Sequence, residues 1–419
     1  MEKFIIKGGK PLQGTINVFG YKNAAGAILS AALLTEDEVT VDNLPIVEDV
    51  LNLIKALESI GCEIIWLGKR KIKIKAGKKV DPKKIDFNLI SKMRVAVLLI
   101  GPLLSRFKNF KIPHPGGDKI GLRPIDTHLL AFKKLSAEIK EEGDFYYFKA
   151  KKLSGAEIIL KEFSVTATEN IMMAASLIPE KTIIKGAAAE PQVQDLGKML
   201  KNMGVKIEGL DSHTITIEGR KKLKGVSHKI IPDPIETATF IIASAITPGE
   251  VTIKNIQPEH LDLFLDKLEE IGINFQKSDH SIVVSYSTNL KPAKIQALIY
   301  PGFPTDFLPF VAVLLTQAKG KSLIHDPLYE SRQSYLQELR KMGADIEIVD
   351  PHRAIIFGKK TLRGLTIESW DIRGGASLII AALMAKDQTI IKNIYQIDRG
   401  YEKIEEKLQK LGADIKRVK

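Results

Sequence analysis

Apolar positions along the chain fall into one pattern that returns six times. A stretch with leucine at helical spacing runs into a small residue, and a strand of alternating apolar and polar positions follows. The copies read Leu57-Glu-Ser-Ile-Gly-Cys-Glu-Ile64, Lys134-Leu-Ser-Ala-Glu-Ile139, Leu200-Lys-Asn-Met-Gly-Val-Lys-Ile207, Leu268-Glu-Glu-Ile-Gly-Ile-Asn-Phe275, Leu339-Arg-Lys-Met-Gly-Ala-Asp-Ile346 and Leu408-Gln-Lys-Leu-Gly-Ala-Asp-Ile415. They are spaced about 70 residues apart, beyond the roughly 20–50 of solenoid repeats, so each copy marks a whole supersecondary unit. Glycine suits a helix C-terminus that needs positive φ. The second copy carries Ser136 there and is the weakest match.

Other parts recur in phase. Two alternating runs joined by a polar turn, as in 206–217, predict a hairpin. Helices rich in small apolar residues are predicted at 24–34, 95–104, 171–178, 238–246, 307–315 and 376–384, with strands of the 39–43 and 389–393 kind after them. The fold class is therefore α/β, built from six repeated βαβαββ-type units. The sixth copy runs out at Lys419, while strand-like segments at 4–7 and 14–18 precede the first helix. These N-terminal strands are expected to complete the last unit. That places 20–229 in one three-repeat domain and 1–19 plus 230–419 in the other.

Polar or charged residues stand before each unit's first helix: Lys22-Asn23, Arg94, 164–170, 233–236, Thr305-Asp306 and 371–373. Helix N-termini offer free N–H groups and partial positive charge, so several together would bind anions. Singly, the same residues read as ordinary N-caps.

Charge sharpens this picture. The 419 residues are 44% hydrophobic and carry 62 Lys+Arg against 50 Asp+Glu, a formal charge of +12. A basic surface attracts anions, but there is no basic tail, RNP-like aromatic run or zinc-finger spacing, so no nucleic-acid partner is expected. The single cysteine, Cys62, excludes an intrachain disulfide. The first residues lack a signal peptide's apolar stretch, and the longest apolar run, 95–104, is too short for a bilayer. A cytoplasmic protein without a membrane partner is expected. His114, His128 and the other histidines are scattered, so no metal site and no cofactor are expected.

Four stretches carry a resemblance: Gly20-Tyr-Lys-Asn-Ala24, Pro115-Gly-Gly-Asp-Lys-Ile-Gly-Leu-Arg-Pro-Ile-Asp-Thr-His128, Phe303-Pro-Thr-Asp306 and Ile397-Asp-Arg-Gly-Tyr-Glu402. In this order, across 3–418, the sequence resembles the UDP-N-acetylglucosamine 1-carboxyvinyltransferases, a family of enolpyruvyl transferases. The resemblance implies a two-domain inside-out α/β barrel, helices within and sheets outside, with the active site in the interdomain cleft. It implies two small-molecule substrates, phosphoenolpyruvate and UDP-N-acetylglucosamine, and a role in peptidoglycan synthesis. Lys22, Arg123 and Arg399 match the family's phosphoenolpyruvate contacts; arginine grips carboxylate and phosphate through paired hydrogen bonds. Asp306 matches the carboxylate beside the sugar 3-hydroxyl and is assigned as general base. Asn23 resembles a sugar contact. Arg94, Arg123, Pro124, Ile125, Asp126, Thr127, His128, Ser164 and Val165 match the nucleotide side. Leu328 matches a contact near the acetylated sugar, and Asp371 and Arg373 join the substrate-binding set.

One departure bears on the chemistry. The residue after Pro-Gly-Gly is cysteine in most members and Asp118 here. Its family role is proton donation to C3 of phosphoenolpyruvate or assistance in product release. A free Asp has a pKa of about 3.9 against about 8.5 for a thiol, so an acid role needs burial or nearby anions. Lys119 and Arg123 would oppose that. Without the cysteine, resistance to the epoxide fosfomycin is expected. Pro234, Gln396, Ala189 and Thr166 also depart from the pattern. The characteristic Lys-Ser segment of the shikimate 3-phosphate enzyme is absent. A low-activity paralogue that binds UDP-sugar as a regulator is the remaining alternative.

Overall fold

A computed structural model describes residues 2–118 and 120–419; Lys119 lies outside the described residues. Among those residues the strands form six small sheets, five of four strands and one of three. Each four-stranded sheet repeats one design. Two antiparallel strands, a hairpin in four of the sheets and Lys3–Lys7 with Asp414–Val418 in the fifth, pair antiparallel with the strand that follows a buried helix, and another strand lies parallel on that strand's other side. Glu157–Ile159 is that parallel strand for Lys181–Lys185, and Ser227–Lys229 for Val39–Asp42. Lys294–Gln296 serves Gly320–His325, and Thr366–Glu368 serves Gln388–Lys392. The three-stranded sheet, Asn109–Pro113 with Phe145–Lys149 and Glu138–Glu142, lacks it; residues 82–90 before it form short helices.

Helix composition decides burial. Pro234–Ile246, mostly small and apolar, is buried at every position, and Ile372–Met384 at every position but Met384. Fully burying side chains such as Ile or Phe contributes about 1.5–3 kcal/mol each. Small residues permit the close packing: a Cβ on Gly26 of helix Lys22–Ala31 would lie 2.1 Å from Val95 Cγ2. The Leu-periodic helices, such as Pro191–Met203 and Asp262–Ile271, bury one face and end on left-handed glycines, Gly204 and Gly272. Ser136, the weakest copy's substitute, also takes positive φ, at 72°. The repeat keeps its backbone turn where it loses its glycine.

The N-terminal strands divide their pairing. Lys3–Lys7 lies between Gln388–Lys392 and Asp414–Val418, with Phe4 opposite Ile391 and Ile5 opposite Lys416. The second strand was expected in the same unit. Leu12–Asn17 instead pairs parallel with Gly249–Lys254, Thr15 opposite Thr252. The intervening Gly8-Gly9-Lys10-Pro11, with Gly9 at φ 78°, turns the chain out of one sheet and into another.

The chain splits into two compact units. One comprises residues 20–117 and 123–231; the other comprises 1–19, 118–122 and 232–419. The sequence reading grouped the Asp118 loop with 20–229, but residues 118–122 pack with the unit that holds the C-terminus. Their contacts explain it: the Leu122 N–H donates to Glu330 Oε1 (2.6 Å), the Ser331 N–H to the Ile120 carbonyl (3.3 Å), and Arg399 to Asp118. Among the described residues no helix is long and apolar enough to cross a membrane.

Candidate active site

In the unit holding the C-terminus, an aromatic cluster sets the position of Asp306. Phe303 and Phe307 pack against Phe264, with the Phe264 and Phe307 centroids 4.8 Å apart, and fix the turn Thr305–Phe307 ahead of helix Leu308–Leu315. Asp306 then meets two guanidinium groups. Its Oδ2 accepts from Arg373 Nε at 3.2 Å, and its Oδ1 accepts from Arg332 Nη2. Arg332 Nη1 also donates to Thr305 Oγ1 at 2.9 Å, tying the guanidinium to the same turn. Both arginines are buried, whereas Asp306 keeps 24% of its side-chain surface. Burial alone would push the Asp306 carboxyl up. The charges and hydrogen bonds of Arg332 and Arg373 outweigh it and hold the group well below the usual carboxylate range.

Asp371 caps helix Ile372–Met384, its Oδ1 accepting the N–H groups of Arg373 and Gly374, both at 2.9 Å. Its Oδ2 is buried with no hydrogen-bond partner among the described residues, an acceptor left over for a hydroxyl. Burial raises its carboxyl, with backbone N–H groups and Arg332 opposing. Arg399 follows the short helix Tyr395–Asp398, and its Nη1 contacts Asp118 and Gln396 Oε1, the latter at 3.0 Å. An anion approaching Nη1 of Arg399 would compete with Asp118. Leu328 is 43% exposed and donates its N–H to Asp326, whose other oxygen accepts from Thr305.

The other unit gathers the remaining predicted residues in two groups. Lys22 opens helix Lys22–Ala31 and pairs with Asp49 at 2.7 Å; Asn23 donates to the Tyr21 hydroxyl at 3.1 Å. The second group centres on Pro124–His128, where helix Asp126–Lys134 begins. Arg94 Nη2 donates to the Pro124 carbonyl at 3.2 Å, Thr127 Oγ1 to Glu162 Oε1 at 3.0 Å, and His128 Nε2 lies 3.0 Å from Thr166 Oγ1. Thr166 belongs to helix Val165–Ala175, capped by Ser164, so Arg94, Pro124, Thr127, His128, Ser164 and Val165 share one neighbourhood. Ile125 is buried within it, Asp126 is exposed and Arg123 half-buried. Burial, then the charge of Arg94, pushes His128 down to about 3, so its imidazole is neutral at physiological pH.

Sequence reasoning missed Arg332, Asp49 and Glu162, the partners of three predicted residues. It also missed Glu169, whose carboxyl burial and then neighbouring Glu190 push well above its ordinary value. The departures are locally accommodated. Pro234 is the first residue of a helix, where proline lacks no needed donor. Gln396 supports Arg399, Thr166 meets His128, and Ala189 is buried with its carbonyl accepting from Gln194. Cys62 is buried and pushed up to about 12 by that burial, against the pull of Arg106, so it offers no reactive thiol. Among the described residues no three His, Cys, Asp or Glu side chains form a metal-binding group.

Comparison with known proteins sets these clusters in context. The family model described as EPSP synthase (3-phosphoshikimate 1-carboxyvinyltransferase) matches residues 6–408. The UDP-N-acetylglucosamine 1-carboxyvinyltransferase of Koribacter versatilis is 42% identical over 100% of this chain and 97% of its own length. A UDP-N-acetylglucosamine 1-carboxyvinyltransferase 3 of Caldanaerobacter subterraneus is 44% identical over 100% of both. Among solved structures, the enolpyruvyl transferase NikO from Streptomyces tendae superposes with TM-score 0.90 at 22% identity, covering 100% of this chain and 99% of that one. An EPSP synthase from Acinetobacter baumannii gives 0.74 at 18% identity, with 100% of both covered. At these identities the structures attest a shared mixed α/β fold, and the sequence matches carry the kinship further. The chain belongs to the EPSP synthase family of enolpyruvyl transferases, among the UDP-N-acetylglucosamine 1-carboxyvinyltransferases.

Proposed function

We propose that the chain transfers the enolpyruvyl group of phosphoenolpyruvate to the 3-hydroxyl of UDP-N-acetylglucosamine and releases phosphate, the committing step of peptidoglycan synthesis. The observation that carries the reading is the grouping of Arg332, Arg373 and Arg399 with Asp306 and Asp118 in one unit. Guanidinium groups suit a donor that bears both carboxylate and phosphate. Two carboxylates beside them supply the proton traffic that addition and elimination require.

C3 of phosphoenolpyruvate takes a proton from Asp118 while the sugar oxygen bonds to C2 and gives its proton to Asp306. The tetrahedral intermediate then breaks its C2–O bond to phosphate and returns a proton from C3 to Asp118, restoring the double bond, while the proton taken up by Asp306 passes to the departing phosphate. Arg399 and Lys22 hold the donor's anionic groups, and Arg123 assists. The Pro124–His128 and Ser164–Val165 group, with Arg94, holds the nucleotide, while Asn23, Leu328, Asp371 and Arg373 orient the sugar. Lys22 and Arg399 belong to different units, and we propose that both units serve one reaction, in the cytoplasm. We read the six sheets and their buried helices as six repeats, three per unit, with helices inside and sheets outside. Helices buried on every face support that reading.

The test is phosphate release from phosphoenolpyruvate with UDP-N-acetylglucosamine, with shikimate 3-phosphate, and with neither. Release only with the UDP-sugar is expected. Release with shikimate 3-phosphate alone would reassign the acceptor, and UDP-sugar binding without release would make the chain a binding paralogue.

A further inference from the structure

The net charge is not spread evenly. Between Glu63 and Lys84 stand nine basic residues against two acidic ones, Glu63 and Asp81, a net of +7 out of the chain's +12. The structure folds this stretch into the hairpin Glu63–Gly68 and Lys71–Lys75, followed by a loop. Glu63–Gly68 is the edge strand of its sheet. Three consecutive apolar side chains on it face solvent: Ile65 at 56%, Trp66 at 44% and Leu67 at 50% exposure. Ile65 stands opposite Lys73 in the register, and Trp66 opposite Ile72 at the start of a bulge toward the turn. Lys69 and Lys75 are exposed on the same hairpin, and Lys78, Lys79, Lys83 and Lys84 on the loop that follows it, which meets the chain just ahead of the edge strand at Ile60 and Gly61. Lys71 and Lys73 pair with Asp42 and Glu38.

An edge strand is usually protected by charge in place of apolar side chains. The hairpin of the next sheet behaves that way. Its stretch 138–149 has four acidic residues against two basic ones, and its edge strand Glu138–Glu142 carries one apolar residue, half-buried Ile139. The hairpin at 63–75 thus combines an apolar tip with a basic surround on a scaffold that does not require either. A large indole, two aliphatic side chains and a run of lysines along one hairpin and its following loop are the composition of surfaces that rest on anionic lipid, where apolar groups enter the headgroup boundary and lysines neutralise the phosphates. A single-stranded nucleic acid would instead call for several aromatic platforms, and this face has one.

We propose that the hairpin Glu63–Lys75 and the following basic loop form a docking surface for an anionic lipid membrane, holding the protein at the bilayer face without spanning it. The sequence had led us to expect no membrane partner; the concentration of charge beside exposed apolar groups argues for one. The surface contains none of the residues assigned to the reaction, and it stands whether or not that assignment does.

The experiment is co-sedimentation of the full chain with vesicles of phosphatidylcholine alone and of equimolar phosphatidylcholine and phosphatidylglycerol, at low and raised salt. Binding only to the anionic vesicles, weakened by salt, is expected. Lys78→Glu with Lys79→Glu should weaken binding about tenfold or more, since each lysine near an anionic surface contributes severalfold. Ile65→Thr with Leu67→Thr should weaken it comparably at raised salt, where the apolar part dominates. Phosphate release in solution should stay at the wild-type rate in both variants, which reports intact folding. Equal sedimentation with both vesicle types, none with either, or undiminished binding by both variants overturns the proposal. Displacement of the anionic vesicles by polyuridylate at matched phosphate would assign the surface to nucleic acid and overturn it as well.

Discussion

Asp306 and Asp118 are both paired with arginine in the same unit, yet the chain holds them in different ways. Asp306 sits in a turn anchored by three phenylalanines and meets two buried guanidinium groups, each with further anchoring. Asp118 sits on a glycine-flanked loop attached by Arg399, a Glu330 contact and one backbone bond. The difference separates position from freedom. A carboxylate fixed by two cations is well placed but a weak base until a substrate takes over part of that charge. A carboxylate on a loop can leave its cation, and phosphoenolpyruvate carries the anions to replace it. Both aspartates occupy arginines that the proposed reaction assigns to donor and acceptor, and on that proposal substrate binding and proton transfer are coupled in this unit.

The sharpest test breaks the more rigid half. Asp306→Asn keeps the shape and removes the base, and kcat/KM should fall by about 10²–10⁴-fold, the range general-base catalysis supplies. Phosphoenolpyruvate affinity should not weaken in parallel. A loss confined to KM would make Asp306 a binding group only and erase the contrast with Asp118.

The next largest effect is on the loop. Asp118→Asn should cut turnover by about 10²-fold, the lower end for a lost general acid. It should also tighten phosphoenolpyruvate binding by about fivefold, because Arg399 then has one competitor fewer and a partly exposed ion pair contributes about 1 kcal/mol. Equilibrium binding and steady-state kinetics on the same preparation separate the two. Unchanged affinity would mean that the Arg399 contact does not compete with substrate. Asp118→Cys sharpens the same point chemically. The natural chain should resist fosfomycin, since carboxylate is a poor nucleophile and Cys62 is buried with a raised pKa. The variant should show time-dependent inactivation with an adduct on the loop, found by mass spectrometry.

These contacts mark where sequence reading stops. The alternation of helices and strands was legible because the two periodicities recur in register, and even Ser136 keeps the left-handed turn that the pattern demanded. Asp306, Arg373 and Arg399 were legible through motif. Arg332 was not, because Glu330-Ser331-Arg332-Gln333 has no periodicity, and its partner lies 26 residues away in a different element. The parallel edge strands were equally faint: Lys294–Gln296 and Thr366–Glu368 have three residues each, too few to show alternation. Leu12–Asn17 read correctly as a strand, but which sheet received it depended on a turn through Gly8 and Gly9. Local pattern reports element type, while pairing across the chain is decided by packing.

Asp233 supplies the control for the comparison. It too senses Arg373, but without a hydrogen bond to it among those described; its Oδ1 caps helix Pro234–Ile246 through the N–H groups of Ile235 (2.7 Å) and Glu236 (3.1 Å). Burial pushes its carboxyl up to about 6 against the pull of Arg373, with Glu236 adding to the rise, the opposite direction from Asp306. The folded chain therefore keeps this proton where the unfolded chain, at about 3.9, has lost it. Stability from this group is full below about pH 4, falls as pH rises toward about 6, and stays lower above. Asp233→Asn keeps the cap, since Asn and Asp cap equally well, and removes the buried charge. The variant should be more stable by about 3 kcal/mol near pH 8 and gain nothing near pH 4, as read from urea midpoints at the two pH values. Should the variant lose stability near pH 8, the charge of Arg373 would outweigh burial at Asp233 as it does at Asp306. The balance of burial against guanidinium charge would then no longer divide the two aspartates.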